Sequence, residues 1–247
     1  MEKVTTKPLI KQYKTFVILS IFAFAMGILE AIVVVYLRQI YTPTGFSFPI
    51  KFLSFNMLTI EFIREAATIV MLLTVAYTSG KKLLERFCYF IFIFGVWDIS
   101  YYIGLKAFLD WPESLLTWDL LFLIPLPCIS PVIAPIICSI VMISIALVLF
   151  TLKQKKTKLF LSYLDGLFML LAGLIVFISF ILNYTSLIIQ NDMLPELLSL
   201  AKSNQFQEVI SYYKPAHFCW ELFWLGIANA IFDLVLIVRR NVAQKGD

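Results

Sequence analysis

Charge is scarce in this chain: Asp, Glu, Lys and Arg make up 15% of its 247 residues, while 61% are hydrophobic. A water-soluble domain of this length carries about 25% charged residues and is less than half apolar. This composition therefore excludes a soluble fold, which could not hide so much apolar surface. Histidine is scarcer still, with His217 the single example. One imidazole excludes haem held by two histidines and the histidine-rich di-iron desaturases. Neither His-Glu-x-x-His nor Gly-x-Ser-x-Gly occurs, so the zinc-protease and nucleophile-elbow signatures are missing as well. The four cysteines have no metal-type spacing. Cys88 and Cys138 fall within apolar runs, which leaves a Cys128–Cys219 disulfide as the conceivable pairing. There is no convincing internal repeat and no low-complexity linker.

What the chain has is apolar residues in long blocks. A helix crossing the hydrocarbon core needs roughly 20 residues. The blocks run over Phe16–Leu37, Phe52–Tyr77, Phe87–Ala107, Pro131–Leu152, Leu159–Asn183 and Phe218–Val238. They predict one polytopic membrane domain over 1–247, an all-α bundle of about six transmembrane helices. Ten-residue segments of alternating hydropathy, the mark of a membrane β-barrel, are absent. The first block follows Lys3, Lys7, Lys11 and Lys14 and contains Ala23-Phe24-Ala25, as a signal peptide would. Its apolar run continues to Val35, too long for a signal core, and reads as a retained helix.

Basic residues give the orientation. With six spans, the termini and the second and fourth loops share one side. Of the 20 Lys and Arg, 14 lie there, among them Lys81, Lys82, Arg86, Lys153, Lys155, Lys156, Lys158, Arg239 and Arg240. The positive-inside rule then places both termini in the cytoplasm of a prokaryote, with the chain in its plasma membrane. The net charge of +4 reflects this topology and gives no reason to expect nucleic acid as a partner. The expected partners are the bilayer and either a second copy or another membrane subunit.

Two segments on the opposite, outer side are more elaborate. From Asp110 to Cys128 the chain is too short to span and too apolar to float. Asp110 followed by Pro112 reads as a helix start, and Pro125 and Pro127 as its end. The expectation is a re-entrant or interfacial half-helix with Trp111 and Trp118 at headgroup level. From Gln190 to Pro215, Leu194, Leu197, Leu198, Ala201 and Phe206 recur at helical spacing, which predicts an amphipathic surface helix.

Ionisable groups within a membrane cost roughly 2.5–3.5 kcal/mol each on insertion scales, so their placement carries information. Glu30, Glu61, Arg64, Glu65, Asp98, Tyr102, Lys106, His217 and Glu221 all fall in the outer half, and Asp119 sits in the loop beside them. Glu61 and Glu65 share a helix face. Asp98, Tyr102 and Lys106 form an i, i+4, i+8 stripe, and His217 and Glu221 an i, i+4 pair. Six acids (Glu30, Glu61, Glu65, Asp98, Asp119, Glu221) face two bases, Arg64 and Lys106, with Arg38 a third nearer the surface. The shortfall must be met by protons, bound cations or water. A bland reading stands beside this one: Arg64 in a structural ion pair, the Tyr and Trp rings as interfacial anchors, His217 solvated, and Lys106 snorkelling to headgroups. Asp165 and Asp233, deeper on the basic side, read as packing or interface residues.

The strings Arg64-Glu-Ala-Ala-Thr-Ile69, Phe94-Gly-Val-Trp-Asp-Ile99, Trp118-Asp-Leu-Leu-Phe-Leu-Ile-Pro125 and Gly27-Ile-Leu-Glu-Ala31 resemble those of uncharacterised prokaryotic membrane proteins with several helices. That resemblance covers the first four helices and implies no activity. Three functions compete. In the first, Glu61, Glu65, Asp98, His217 and Glu221 hold a divalent metal ion as cofactor for work on a lipid-like or small substrate. The second is a small proton- or ion-coupled transporter. The third is a non-catalytic subunit or assembly factor.

Overall fold

The structure is a computed structural model that describes residues 7–42, 48, 55–124, 126–155, 159–191 and 213–243. Six long helices account for most of it: α1 (Lys7–Tyr41), α2 (Phe55–Ser79), α3 (Leu83–Leu109), α4 (Ile133–Lys155), α5 (Tyr163–Gln190) and α6 (Trp220–Ala243). Five of them, all but α2, are long and apolar enough to cross a membrane. The sixth, α2, carries Glu61, Arg64 and Glu65 in its first half. An all-α membrane bundle is therefore the architecture. The amphipathic surface helix expected between Gln190 and Pro215 lies mostly outside the described residues.

α3 is the axis of the bundle. Of its most apolar stretch 61% is buried, against 22% in α1 and in α5. Small residues let its neighbours approach, as they do where helices associate in lipid. On α1, Ala23, Gly27 and Ala31 recur every fourth residue. A Cβ added at Gly27 would lie 2.5 Å from the Trp97 carbonyl oxygen, and one added at Gly104 would lie 2.6 Å from the Ala31 Cβ. α1 thus runs parallel to α3 in close contact. Gly95 makes the same approach to Ser139 on α4, and Gly226 to Val176 and Ala172 joins α6 to α5. At the basic end, Phe16 of α1 meets Phe92 of α3 and Phe150 of α4 edge-on, both at 4.8 Å between centroids.

Polar ties fix the helix ends at that side. Glu85 accepts from the Lys81 and Lys82 amides (2.8 and 3.2 Å) and pairs with Lys153 of α4 at 2.6 Å. Ser162 caps α5, and Asp165 accepts the Ser162 amide at 2.7 Å while also pairing with Arg240 of α6.

The segment between α3 and α4 corrects the sequence reading. Asp110 ends a helix instead of starting one: it closes α3 in the left-handed conformation, φ 50°, with its amide donating to the Lys106 carbonyl at 3.1 Å. Asp is among the few residues that adopt this conformation readily. In place of a half-helix there is an antiparallel hairpin, β1 (Trp118–Leu120) against β2 (Ile129–Pro131), with Asp119 opposite Ser130. Leu121 and Cys128 extend the pairing. A central proline would interrupt a ladder, and Pro131 avoids this by ending β2. Pro125, expected to terminate the half-helix, lies outside the described residues. The hairpin is turned inward, with Asp119 at 1% and Ser130 at 0% exposure. Its polar side chains are thus enclosed by protein.

Candidate ligand cavity and its acidic end

Arg64 gathers the charges of α1 and α2. It pairs with Glu30 of α1, and with Glu61 through both Nη2 (2.8 Å) and Nε (2.9 Å); Glu65 lies 4.0 Å away. Thr68 adds a hydroxyl to Glu30 at 3.3 Å. Glu65 has a different principal task. Its carboxylate accepts the backbone amides of Leu123 (2.9 and 3.1 Å) and Ile124 (3.2 Å) from the hairpin loop. Those donors have no strand partner, so the side chain supplies what the ladder cannot.

Two further ties complete this end. Asp98 of α3 accepts from the Ser139 hydroxyl of α4 at 2.7 Å. Asp119 of β1 accepts from Tyr102 at 3.0 Å and faces Arg38 of α1 at 3.6 Å, with the Arg38 guanidinium 3.9 Å above the Trp111 ring. Burial pushes the Asp119 carboxyl up to about 6, against the opposing pull of Arg38 and the Tyr102 hydroxyl.

The structure brings Glu30, Glu61, Arg64 and Glu65 into one knot, with Asp98, Tyr102 and Asp119 in adjoining contacts. It does not bring in the remaining three. Lys106 is 52% exposed and bonds to Asp110 and to the Asp110 and Pro112 carbonyls at the end of its own helix. Eight residues from Asp98 means about 80° of rotation around the helix, so the i+8 stripe does not hold one face. His217 and Glu221 are exposed. α6 begins at Trp220, so His217 precedes the helix, and the i, i+4 pairing with Glu221 has no helical basis. Among the described residues no three His, Cys, Asp or Glu come together in a group able to hold a metal ion. The five proposed ligands Glu61, Glu65, Asp98, His217 and Glu221 do not form such a group. Cys128 and Cys219 are free thiols, so the conceivable disulfide is not formed.

Sequence reading missed a half-open cavity of about 780 Å³ lined by residues of α2, α3, α4, α5, α6 and the hairpin segment. Its wall is overwhelmingly apolar, including Ile69, Phe94, Phe122, Met142 and Val176, while Glu65, Asp98 and Ser139 supply carboxyl and hydroxyl groups. Small-molecule sites span roughly 300–1,000 Å³ with this same mix of apolar wall and few polar groups. Val70 of α2, 59% exposed, and Gly173 of α5, also exposed, line it too, which places an opening between those two helices. The available signal was the small residues of α5 and α6. Ala172, Gly173, Gly226 and Ala230 all border the cavity, and a Cβ at Gly173 would meet nothing within 4 Å.

The charge imbalance survives. The acids of this end are Glu30, Glu61, Glu65, Asp98 and Asp119, and the bases are Arg38 and Arg64, five against two. No family model, curated protein or solved structure matches the chain. The resemblance suggested by its short strings is therefore not supported by them, and a functional reading rests on the cavity and its charges.

Proposed function

We propose that this multi-pass membrane protein binds a single-headed amphipathic molecule whose apolar tail fills the cavity and whose cationic head sits between Glu65 and Asp98. The observation that carries this reading is an apolar cavity of about 780 Å³ bordered by those two carboxyls. An excess of acids in a low-dielectric interior is relieved by a positive ligand. The gap between α2 and α5 gives a tail a direct path from lipid. On this reading the carboxyls bind and orient the head, and the hairpin covers it. A small carrier of such molecules is supported by the cavity, and among the described residues no ligand set for an ion is assembled.

We further propose the orientation that the basic residues favour: the acidic end and the hairpin face outward across a prokaryotic plasma membrane, and both termini are cytoplasmic. Reporters inserted after Ser79 and after Glu113 should then signal opposite sides.

Ligand binding tests the main reading. A fluorescent long-chain primary amine should bind the purified protein at least about tenfold tighter than a sulfate with the same chain, a difference of ~1.4 kcal/mol. Asp98→Asn should narrow that ratio. Equal binding of amine and sulfate, or amine binding unaffected by Gly173→Leu in the cavity wall, would overturn it.

A further inference from the structure

A third carboxyl, outside the cavity lining, lies one turn beyond the cavity residue Ala230 on α6. Asp233 of α6 is 1% exposed, and neither of its oxygens accepts a hydrogen bond among the described residues. It shares the buried face of α6 with Phe223, Ile227, Ala230 and Ile237, so it is turned into the bundle and away from lipid. Ala230, one turn earlier, lines the cavity, as does Met169 on α5.

Among the described residues, the polar groups around it are committed elsewhere. The charges acting on Asp233 are Asp165 from α5 and Arg240 from its own helix. Arg240 is already paired with Asp165, whose second oxygen accepts the Ser162 amide. Asn241 exchanges hydrogen bonds with the Phe160 backbone and donates to the Ile237 carbonyl. Asn229 donates to the Phe168 carbonyl. An ionised carboxylate with no donor is among the most costly groups to enclose in a membrane bundle, and only a bound positive charge removes the cost. A metal cation needs several oxygen or nitrogen ligands, and no group of three His, Cys, Asp or Glu is available among the described residues. A proton needs none.

We propose that Asp233 is a proton-binding site one helical turn beyond the cavity residue Ala230. The proton attaches to a carboxylate oxygen and leaves the local charge to the Asp165–Arg240 pair alone. Its release places one negative charge about one helical turn from the cavity wall. If the cavity holds a cationic head, as proposed above, that charge draws the head inward, so proton release and ligand movement are linked; this last step rests on the ligand reading.

Infrared difference spectroscopy of the protein in lipid nanodiscs tests the site without any ligand. The spectrum should contain a carboxylic-acid C=O band that disappears in Asp233→Asn and fades as pH rises. Asp233→Glu should shift the band and retain its titration, which covers the case in which the amide variant does not fold. A carboxylic-acid band unchanged in position and intensity in both variants, at every pH, would overturn the proposal. Loss of the band in Asp233→Asn together with equal binding of amine and sulfate would leave the proton site standing and remove the ligand reading alone.

Discussion

α1 to α4 and the pair α5–α6 are built on different principles. In the first group, ion pairs and side-chain hydrogen bonds cross between elements at both ends: Glu30 to Arg64, Asp119 to Arg38 and Tyr102, Glu65 to the hairpin, Asp98 to Ser139, and Glu85 to Lys153. In the second, the polar ties join α5 to α6 near the basic end, through Arg240 to Asp165 and Asn229 to the Phe168 carbonyl, with Asn241 holding the chain just before α5. Across the boundary between the groups lie apolar contacts and the cavity. The first group is a cross-braced frame; the second is a wall held to it by apolar packing.

The largest expected effect is on the frame. Arg64→Met leaves Glu30, Glu61 and Glu65 without their shared cation, and removing one partner of a buried ion pair costs roughly 3–5 kcal/mol. Arg64 retains some solvent contact, so the loss should fall at the lower end of that range, read as a drop in thermal midpoint in detergent. A midpoint equal to wild type would show that the knot does not brace the frame.

Gly27→Leu should follow, because its side chain would meet the Trp97 carbonyl and the Ser100 Cβ. Overpacking of this kind costs about 1–3 kcal/mol. Gly173→Leu, on the wall, should cost far less, since its Cβ enters open space. Equal destabilisation by the two would erase the contrast between frame and wall.

Asp119 sharpens the comparison through pH. Its carboxyl is raised from 3.8 to about 6 in the folded chain, so folding favours the protonated form. That contribution to stability is complete below about pH 4 and is lost as pH rises through about 6, on the order of a few kcal/mol in total. Asp119→Asn should flatten this part of the stability profile. An unchanged slope would assign the pH dependence to other groups.

The smallest effect is expected at the start of α6. His217→Ala truncates one exposed side chain and Glu221→Gln neutralises another, and changes of that kind fall within about 0.5 kcal/mol. Neither should alter amine binding. A large loss from either would return them to the site.

The six helices were legible because each apolar run is long and bounded by charge or proline, although their ends moved. α3 starts at Leu83, four residues before its apolar block, because Glu85 satisfies the amides preceding it. α4 starts at Ile133 because Pro131 belongs to a strand. The hairpin was not legible. Trp118-Asp-Leu-Leu-Phe-Leu has no strict alternation, and the loop that joins its strand to the next is held by a tertiary partner, Glu65, 58 residues before Leu123. For the site, depth along the helices put Glu30, Glu61, Glu65 and Asp98 at one level, and Glu30, Glu61 and Glu65 do gather at Arg64. Depth does not specify rotation, which is why Lys106 was misassigned, and helix spacing means nothing outside a helix, which is why His217 was. The cavity had no signature in chemically distinctive residues. It is written in what α5 and α6 omit, the bulk absent at Gly173 and Ala230.

The bond from Glu65 to the Leu123 and Ile124 amides also constrains assembly in time. Helices that satisfy their own backbones can enter a membrane one after another. The hairpin loop cannot, because two of its amides depend on a carboxylate from α2. Until α2 stands beside α3, those amides face either water at the surface or an apolar medium that offers no acceptor. The hairpin loop therefore gains its acceptor once α2 stands beside α3, whatever the order in which the later helices arrive.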